Sequence, residues 1–217
     1  MSNWLHCLAE PPNLLAKSDT IESAAARHEA LAGRVLNIGS KNVRLGAQCT
    51  NLDIVLGREV DVVGDAHKLS EYFAGESFDT IVLSAVLQYC AEPRRVIEQA
   101  WQVLRPHGLL LVDAPFLQPY CPDGPDLWRF TAVGLRRLCE PYFTVLELKT
   151  SIATGPALAF ICQSAAGQQP NRYTASALRY LVSLVVYPLK WMRPAHPHTA
   201  GAFLLVARKS ANAKAVT

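Results

Sequence analysis

Short apolar runs alternate with segments of helical period along most of the chain. VLNI (Val35 to Ile38), NLDIVL (Asn51 to Leu56), VDVVGD (Val60 to Asp65), TIVLS (Thr80 to Ser84) and LLLVDAP (Leu109 to Pro115) read as strands. Several are rich in Val, Ile and Leu without strict alternation, the pattern of central strands covered on both faces. Ahead of the first strand, Thr20 to Leu31 reads as a helix with Asp19 or Thr20 as N-cap. Pro93 to Leu104 reads as another. Its Val96, Ile97, Ala100, Trp101 and Leu104 share one face, Pro93 suits the first turn, and Pro106 to Gly108 ends it. Thr131 to Cys139 is a third, capped by Thr131 and closed by Pro141. VLELKT, ALAFICQ and AFLLVARK follow, and two late strands flanking an insertion allow an antiparallel edge hairpin. The expected fold class is therefore α/β: a doubly wound, mostly parallel sheet with a late antiparallel edge hairpin and a helical insertion. A single domain is expected over 1–217, with a core over 17–150 that includes the N-terminal helix. A helical insertion over 170–200, a final strand over 201–208 and a frayed tail over 209–217 complete it.

The insertion has a character of its own. Thr174 to Arg193 is apolar yet carries Arg179, Lys190 and Arg193, and Pro188 kinks or ends a helix there. A helix roofing the sheet has this pattern. So does an interfacial helix with Tyr187, Trp191 and the basic residues at lipid headgroup level, and so does a dimer interface. The sequence leaves a weak membrane-surface or dimer contact through 174–193 open.

Composition narrows the class. Of 217 residues, 50% are hydrophobic and 18% charged, enough to bury a full core and to exclude disorder for the bulk of the chain. The net charge is +3, no Lys/Arg run exceeds two residues, and no basic stripe is interleaved with aromatics. Nucleic acid is therefore not expected as a partner. The six cysteines are scattered without a C-x-x-C pair, so no metal site is expected. Free thiols fit a reducing compartment. MSNWLHCLAEPP lacks the basic flank and apolar centre of a signal peptide, and no stretch is long and apolar enough to span a bilayer. The expectation is a cytoplasmic chain.

In an open α/β sheet, ligands bind at the carboxyl ends of the strands, near the switch in strand order. After the first strand comes Asn37-Ile38-Gly39-Ser40-Lys41-Asn42, where Gly39 permits a tight turn and the next N–H groups face a ligand. Asp53 lies on the second strand, placed to accept hydrogen bonds from both hydroxyls of a ribose. The third strand ends in Gly64-Asp65-Ala66-His67, where Asp65 either accepts from an adenine amino group or serves only the turn.

These residues resemble class I S-adenosylmethionine-dependent methyltransferases. The nearest likeness is to bacterial methyltransferase-like proteins found among surface-polysaccharide and other glycan genes. The resemblance runs from about Arg34 to Glu140: VDVVGDAHKL, SFDTIVLSAVLQY and VLRPHGLLLV stand where the family has its third, fourth and fifth strands. APFLQPYCPDGPDLWRFTAVGL then looks like the subgroup's own loop and helix. The resemblance implies a Rossmann-like methyltransferase fold, S-adenosylmethionine as cofactor and a small-molecule or glycan acceptor. It puts Gly39 and Ser40 beside the cofactor's amino-acid end, Asp53 at the ribose and Ile54 beside the adenine. Asp65 and Ala66 fall at the adenine edge, Ser84 and Ala85 after the fourth strand, and Asn37 where the family has an acid. Two departures stand out. The glycine-rich G-x-G-x-G turn reads Gly39-Ser40-Lys41-Asn42-Val43. Cys121 stands where the subgroup usually has His, and Gln88-Tyr89 where it commonly has Glu-His.

A hydroxyl acceptor benefits from a base with a pKa near working pH. His67 follows the third strand on the ligand side and is the candidate, against a reading as a hydrogen-bonded histidine at a helix start. Asp123 and Asp126 lie in the loop after the fifth strand. Arg129 either clamps an anionic acceptor or pairs internally with Asp126. Trp128 and Phe130 read as loop anchors, and His196-Pro-His198 as a solvated loop. An O-directed methyltransferase leads this reading. A degenerate fold kept as a non-catalytic partner and a nicotinamide-dependent oxidoreductase remain beside it, though the latter lacks G-x-G-x-x-G.

Overall fold

A computed structural model describes residues 17–40, 43–168, 171–191 and 197–211. Seven strands form one sheet: β1 (Val35–Ile38), β2 (Cys49–Asp53), β3 (Val62–Val63), β4 (Phe78–Ser84), β5 (Leu104–Pro115), β6 (Phe143–Ile152) and β7 (Ala202–Lys209), in the order β3-β2-β1-β4-β5-β7-β6. The first five pair in parallel, and β7 runs antiparallel to both β5 and β6. This is the doubly wound sheet with the expected late antiparallel hairpin. Strand order reverses at β1 and β4, which fixes where a cleft opens.

The two-residue period of each strand divides its side chains between two cores. Leu36, Ile38, Ile81, Leu83, Leu110 and Val112 pack on one face with α3 (Pro93–Val103) and α4 (Ala132–Cys139). Val35, Val82, Leu111, Leu204 and Val206 pack on the other with Ile21, Ala24 and Ala25 of α1 (Ile21–Arg27). The Thr20 side chain caps α1 by accepting from the Ser23 N–H, and Thr131 caps α4 through Gly134. A four-residue helix, α2 (Leu69–Tyr72), follows β3.

Several boundaries differ from the sequence reading. α1 ends at Arg27, short of Leu31. The strand expected over Asn51 to Leu56 starts at Cys49 and stops at Asp53, because Ile54 to Leu56 turn outward. The run from Val60 to Asp65 yields only two paired residues. Pro106 to Gly108 lies inside β5 at a register shift against β4, with His107 at φ 64°. ALAFICQ lies in a helix, α5 (Thr154–Ala166), so the helical insertion begins at Thr154 rather than 170. It continues as α6 (Arg172–Val186) and a 3-10 turn, Tyr187–Trp191, in which Pro188 falls. Among the described residues, no helix is long and apolar enough to cross a membrane. Lys41, Arg193, His196 and most of the expected tail, 212–217, lie outside the described residues.

Candidate active site

The turn after β1 is tight. Gly39 has φ 68°, and its N–H donates to the Leu52 carbonyl at 2.8 Å. A Cβ there would stand 2.3 Å from Cγ2 of Val86, so both backbone and packing require glycine. Asn37 is buried, and its amide donates to the Val43 carbonyl at 2.9 Å and to Asn51 Oδ1 at 3.2 Å, holding the turn against β1 and β2. Among the described residues, the buried Ser40 Oγ has no hydrogen-bond partner.

From this turn a cleft opens in two lobes. One, of about 550 Å³, is lined by Asp53, Ile54, Leu56, Asp65, Ala66 and His67, among others. Ile54 and Leu56 are 71% and 77% exposed, an apolar wall that the core does not use. Asp53 sits at the carboxyl end of β2, and its Oδ1 accepts from the Val55 N–H at 3.2 Å. Asp65 Oδ1 accepts from the His67 N–H at 2.9 Å and lies 2.6 Å from His67 Nδ1. Burial pushes the Asp65 carboxyl up, but the bonds from the His67 backbone and ring outweigh it and hold the group below the usual carboxylate range. His67 Nε2 accepts from the Glu92 N–H at 3.3 Å, so Nδ1 carries the hydrogen that Asp65 receives. Both ring nitrogens are engaged. The arrangement is that of the hydrogen-bonded histidine at a helix start, and it leaves no open nitrogen for the expected base. Cys90 is inert wall, its thiol pushed up to about 12 by burial and then by the Asp65 charge.

The other lobe, of about 400 Å³, takes in Asn37, Gly39, Ser40, Ser84, Ala85, Gln88, Asp126 and Arg129. Gly39, Ala85, Tyr89 and Asp123 border both lobes. Ala85 has φ 54°, and its N–H donates to the Asp113 carbonyl at 2.8 Å. Gln88 donates through Nε2 to the Ala85 carbonyl at 2.8 Å, while its buried Oε1 has no partner among the described residues.

The loop after β5 forms the outer wall. Arg129 and Asp126 make a two-bond ion pair, Nη1 to Oδ1 and Nη2 to Oδ2, each at 2.5 Å. The Arg129 guanidinium lowers the Asp126 carboxyl, more than burial raises it. Arg129 also donates to the Pro119 carbonyl at 2.8 Å and to the Gln118 carbonyl at 3.4 Å, and Asp126 accepts from the Cys121 N–H at 2.7 Å. Of the two readings for Arg129, the structure has the internal pair. Trp128 donates to the Cys90 carbonyl at 2.8 Å and Phe130 is buried, so both anchor the loop.

The sequence-derived residues thus converge from five separate segments on one cleft. Sequence reasoning missed Ile21 and Glu22, which line the smaller lobe, and Val86, which sets the Gly39 turn. Nothing in the local pattern of α1 distinguishes a residue facing a cleft from one facing the core.

With this geometry the chain can be compared with known proteins. Residues 31–112 match the family model of the methyltransferase domain. That segment runs from the end of the α1 region to β5 and contains the Gly39 turn, Asp53, Asp65 and Ala85. The matched segment is less than half of the chain; its likeness to the methyltransferase domain supports an enzyme that uses S-adenosylmethionine. No curated protein matches the chain. Solved structures match at low identity. A SAM-dependent methyltransferase from Archaeoglobus fulgidus is 12% identical with a TM-score of 0.56, over 87% of this chain and 93% of that one. A 1,6-didemethyltoxoflavin-N1-methyltransferase from Burkholderia thailandensis, solved with S-adenosylhomocysteine, is 16% identical with a TM-score of 0.53, over 88% and 77%. The (4+2) cyclase SpnF is 19% identical with a TM-score of 0.56, over 94% and 90%. These likenesses show the fold. That one of them is a cyclase illustrates that a fold does not fix the reaction, so the acceptor must be argued from the site.

The residues present fit the cofactor. The smaller lobe offers a hydroxyl, Ser40, and an amide oxygen, Gln88, that have no partner among the described residues and are suited to a carboxylate and an ammonium. The larger lobe offers a carboxylate at a strand end and an exposed apolar wall, suited to a ribose and a purine.

Proposed function

We propose that this chain methylates a hydroxyl of a small-molecule or sugar intermediate. The observation that supports this most strongly is the division of the cleft into a strongly apolar lobe and a less apolar one that meet at Gly39 and Ala85, the latter holding the Ser40 Oγ and Gln88 Oε1 that have no partner among the described residues. In this reading Asp53 holds the ribose and Ile54 covers the adenine, with Asp65 and Ala66 at its edge. Asn37, Gly39, Ser40, Ser84 and Ala85 surround the amino-acid end.

S-adenosylmethionine, when bound, supplies a methyl group on a sulfonium sulfur, displaced as the acceptor's new bond to carbon forms. The protein's part is alignment and proton removal. Asp123 borders both lobes and takes the hydroxyl proton. Asp126 and Arg129 position the loop that carries it, and His67 orients Asp65. The acceptor enters between the loop after β5 and α1, where Glu22, Gln118 and Asp123 offer polar groups to a sugar. Five free thiols among the described residues support placing this activity in the cytoplasm.

The test is a screen of purified protein with S-adenosylmethionine against glycan intermediates and phenolic or amine acceptors, read as acceptor-dependent S-adenosylhomocysteine release and product mass. Hydroxyl methylation of a sugar is the expected result. Turnover confined to amine acceptors would overturn the O-directed reading.

A further inference from the structure

Charge is distributed unevenly along this chain. All 18 acidic residues lie at or before Glu147, and the last 70 positions hold eight Lys and Arg with no acid. The insertion that carries α5 and α6 belongs wholly to this acid-free part.

α6 is amphipathic in an unusual sense. Its inward side packs on α5, where Gln163 Nε2 donates to Ser183 Oγ at 2.9 Å and Ala159 meets Val186. An ordinary surface helix turns its polar side outward. Here Leu181, Leu184 and Val185 are 61%, 63% and 79% exposed, and Tyr173, Tyr180 and Trp191 are more than half exposed. The positions 173, 180, 181, 184 and 185 follow the helical period, so they form one outward stripe, and the exposed Trp191 lies beyond it in the 3-10 turn. The segment also carries Arg172, Arg179, Lys190 and Arg193.

We propose that this outward face lies flat on an anionic lipid surface. Aliphatic residues at the centre, aromatic residues towards both ends and cations without acids are the chemistry of a helix seated at the headgroup boundary. Charge complementarity favours lipid over a second copy. A two-fold contact would bring the same acid-free segment against itself, with no carboxylate in it to pair the cations. The insertion is rooted at the ligand end of the sheet: Ile152 and Pro115 both pair with Ala202, and Phe116 and Gln118 donate to the Gly201 carbonyl. Docking therefore holds the cleft's edge of the sheet near the surface. The proposal does not depend on which acceptor is methylated.

The test is sedimentation of the full chain with vesicles of one part phosphatidylglycerol to two parts phosphatidylcholine, against phosphatidylcholine alone. The expected result is binding to the anionic vesicles that weakens with added salt. The double variant L184E/V185E, altered only at exposed positions, is expected to lose about tenfold or more in affinity with its thermal midpoint unchanged. A second variant, R172Q/K190Q, keeps the apolar stripe and is expected to lose preference for the anionic vesicles. No binding at millimolar lipid, or equal binding by L184E/V185E, would overturn the proposal. So would a concentration-dependent dimer that L184E/V185E abolishes while vesicle binding persists.

Discussion

Tyr89 donates its phenol hydrogen to Cys121 Sγ at 2.7 Å, bridging the turn after β4 and the loop after β5 across the rim of the cleft. These are two of the positions at which the sequence resemblance leads one to expect histidine. Two changed residues thus meet as one pair. Burial raises the Tyr89 phenol first and the bond to Cys121 raises it further, well above the ordinary tyrosine range. The phenol stays protonated at working pH and acts as a donor that holds the loop.

Tyr89→Phe removes that bond without leaving a strongly polar atom orphaned. A single bond of this kind contributes about 1 kcal/mol, or roughly fivefold in an equilibrium. The expected outcome is a rise of about fivefold in acceptor KM. Cofactor affinity should change less, because Asp53, Ile54 and the Gly39 turn do not depend on this bond. Steady-state kinetics with each substrate varied in turn check it.

Asp126 is the most buried carboxylate of the outer wall, its side chain 1% exposed beside a partly exposed Arg129. Breaking such a pair strands one charge. Asp126→Asn is expected to cost about 2–3 kcal/mol, at or just below the range for fully buried pairs because Arg129 still reaches water. The urea midpoint measures it, and a shift of less than about 0.5 kcal/mol would show that the loop is held by its backbone bonds alone.

Glu147 on β6 accepts from Arg27 Nη2 at 2.9 Å and from His28 Nε2 at 2.8 Å, and also pairs with Lys149. Burial raises this carboxyl, but the Lys149, His28 and Arg27 bonds prevail and hold it at about 2 against an ordinary 4.5. Its folded-state pKa is depressed, so its stabilising contribution is complete above about pH 4.5 and is lost as pH falls towards about pH 2. Thermal midpoints across that window should fall more steeply for the wild type than for Glu147→Gln. Because the contact ties α1 to β6, and Ile21 and Glu22 of α1 line the smaller lobe, cofactor affinity should fall in the same window.

Much of this was legible in the sequence, for physical reasons that also mark where reading failed. Runs such as VLNI and TIVLS are short, apolar and bounded by turn residues, so strands were readable and their carboxyl ends pointed to Gly39, Asp53 and Asp65. ALAFICQ fooled the same rule, since a short apolar run bounded by turns fits a buried helix as well as a strand. NLDIVL was read too long because Ile54 to Leu56 are apolar for the cleft and not for the sheet. The Asp126–Arg129 pair was visible because its members are only three positions apart. Tyr89 and Cys121 are 32 residues apart, and no local pattern brings them together. His67 shows a different limit: its place after β3 was correct, but only coordinates reveal that Asp65 and Glu92 occupy both nitrogens.

The cleft at Gly39 and Asp53 is the cofactor site in the proposed reaction. Calorimetric titration of the purified chain with S-adenosylmethionine and S-adenosylhomocysteine tests it most directly. The predicted result is micromolar binding of both ligands, weakened by about tenfold or more in Asp53→Ala, which removes a carboxylate placed for two ribose hydroxyls. Absence of heat and of thermal stabilisation at millimolar ligand, with the protein folded, would contradict it.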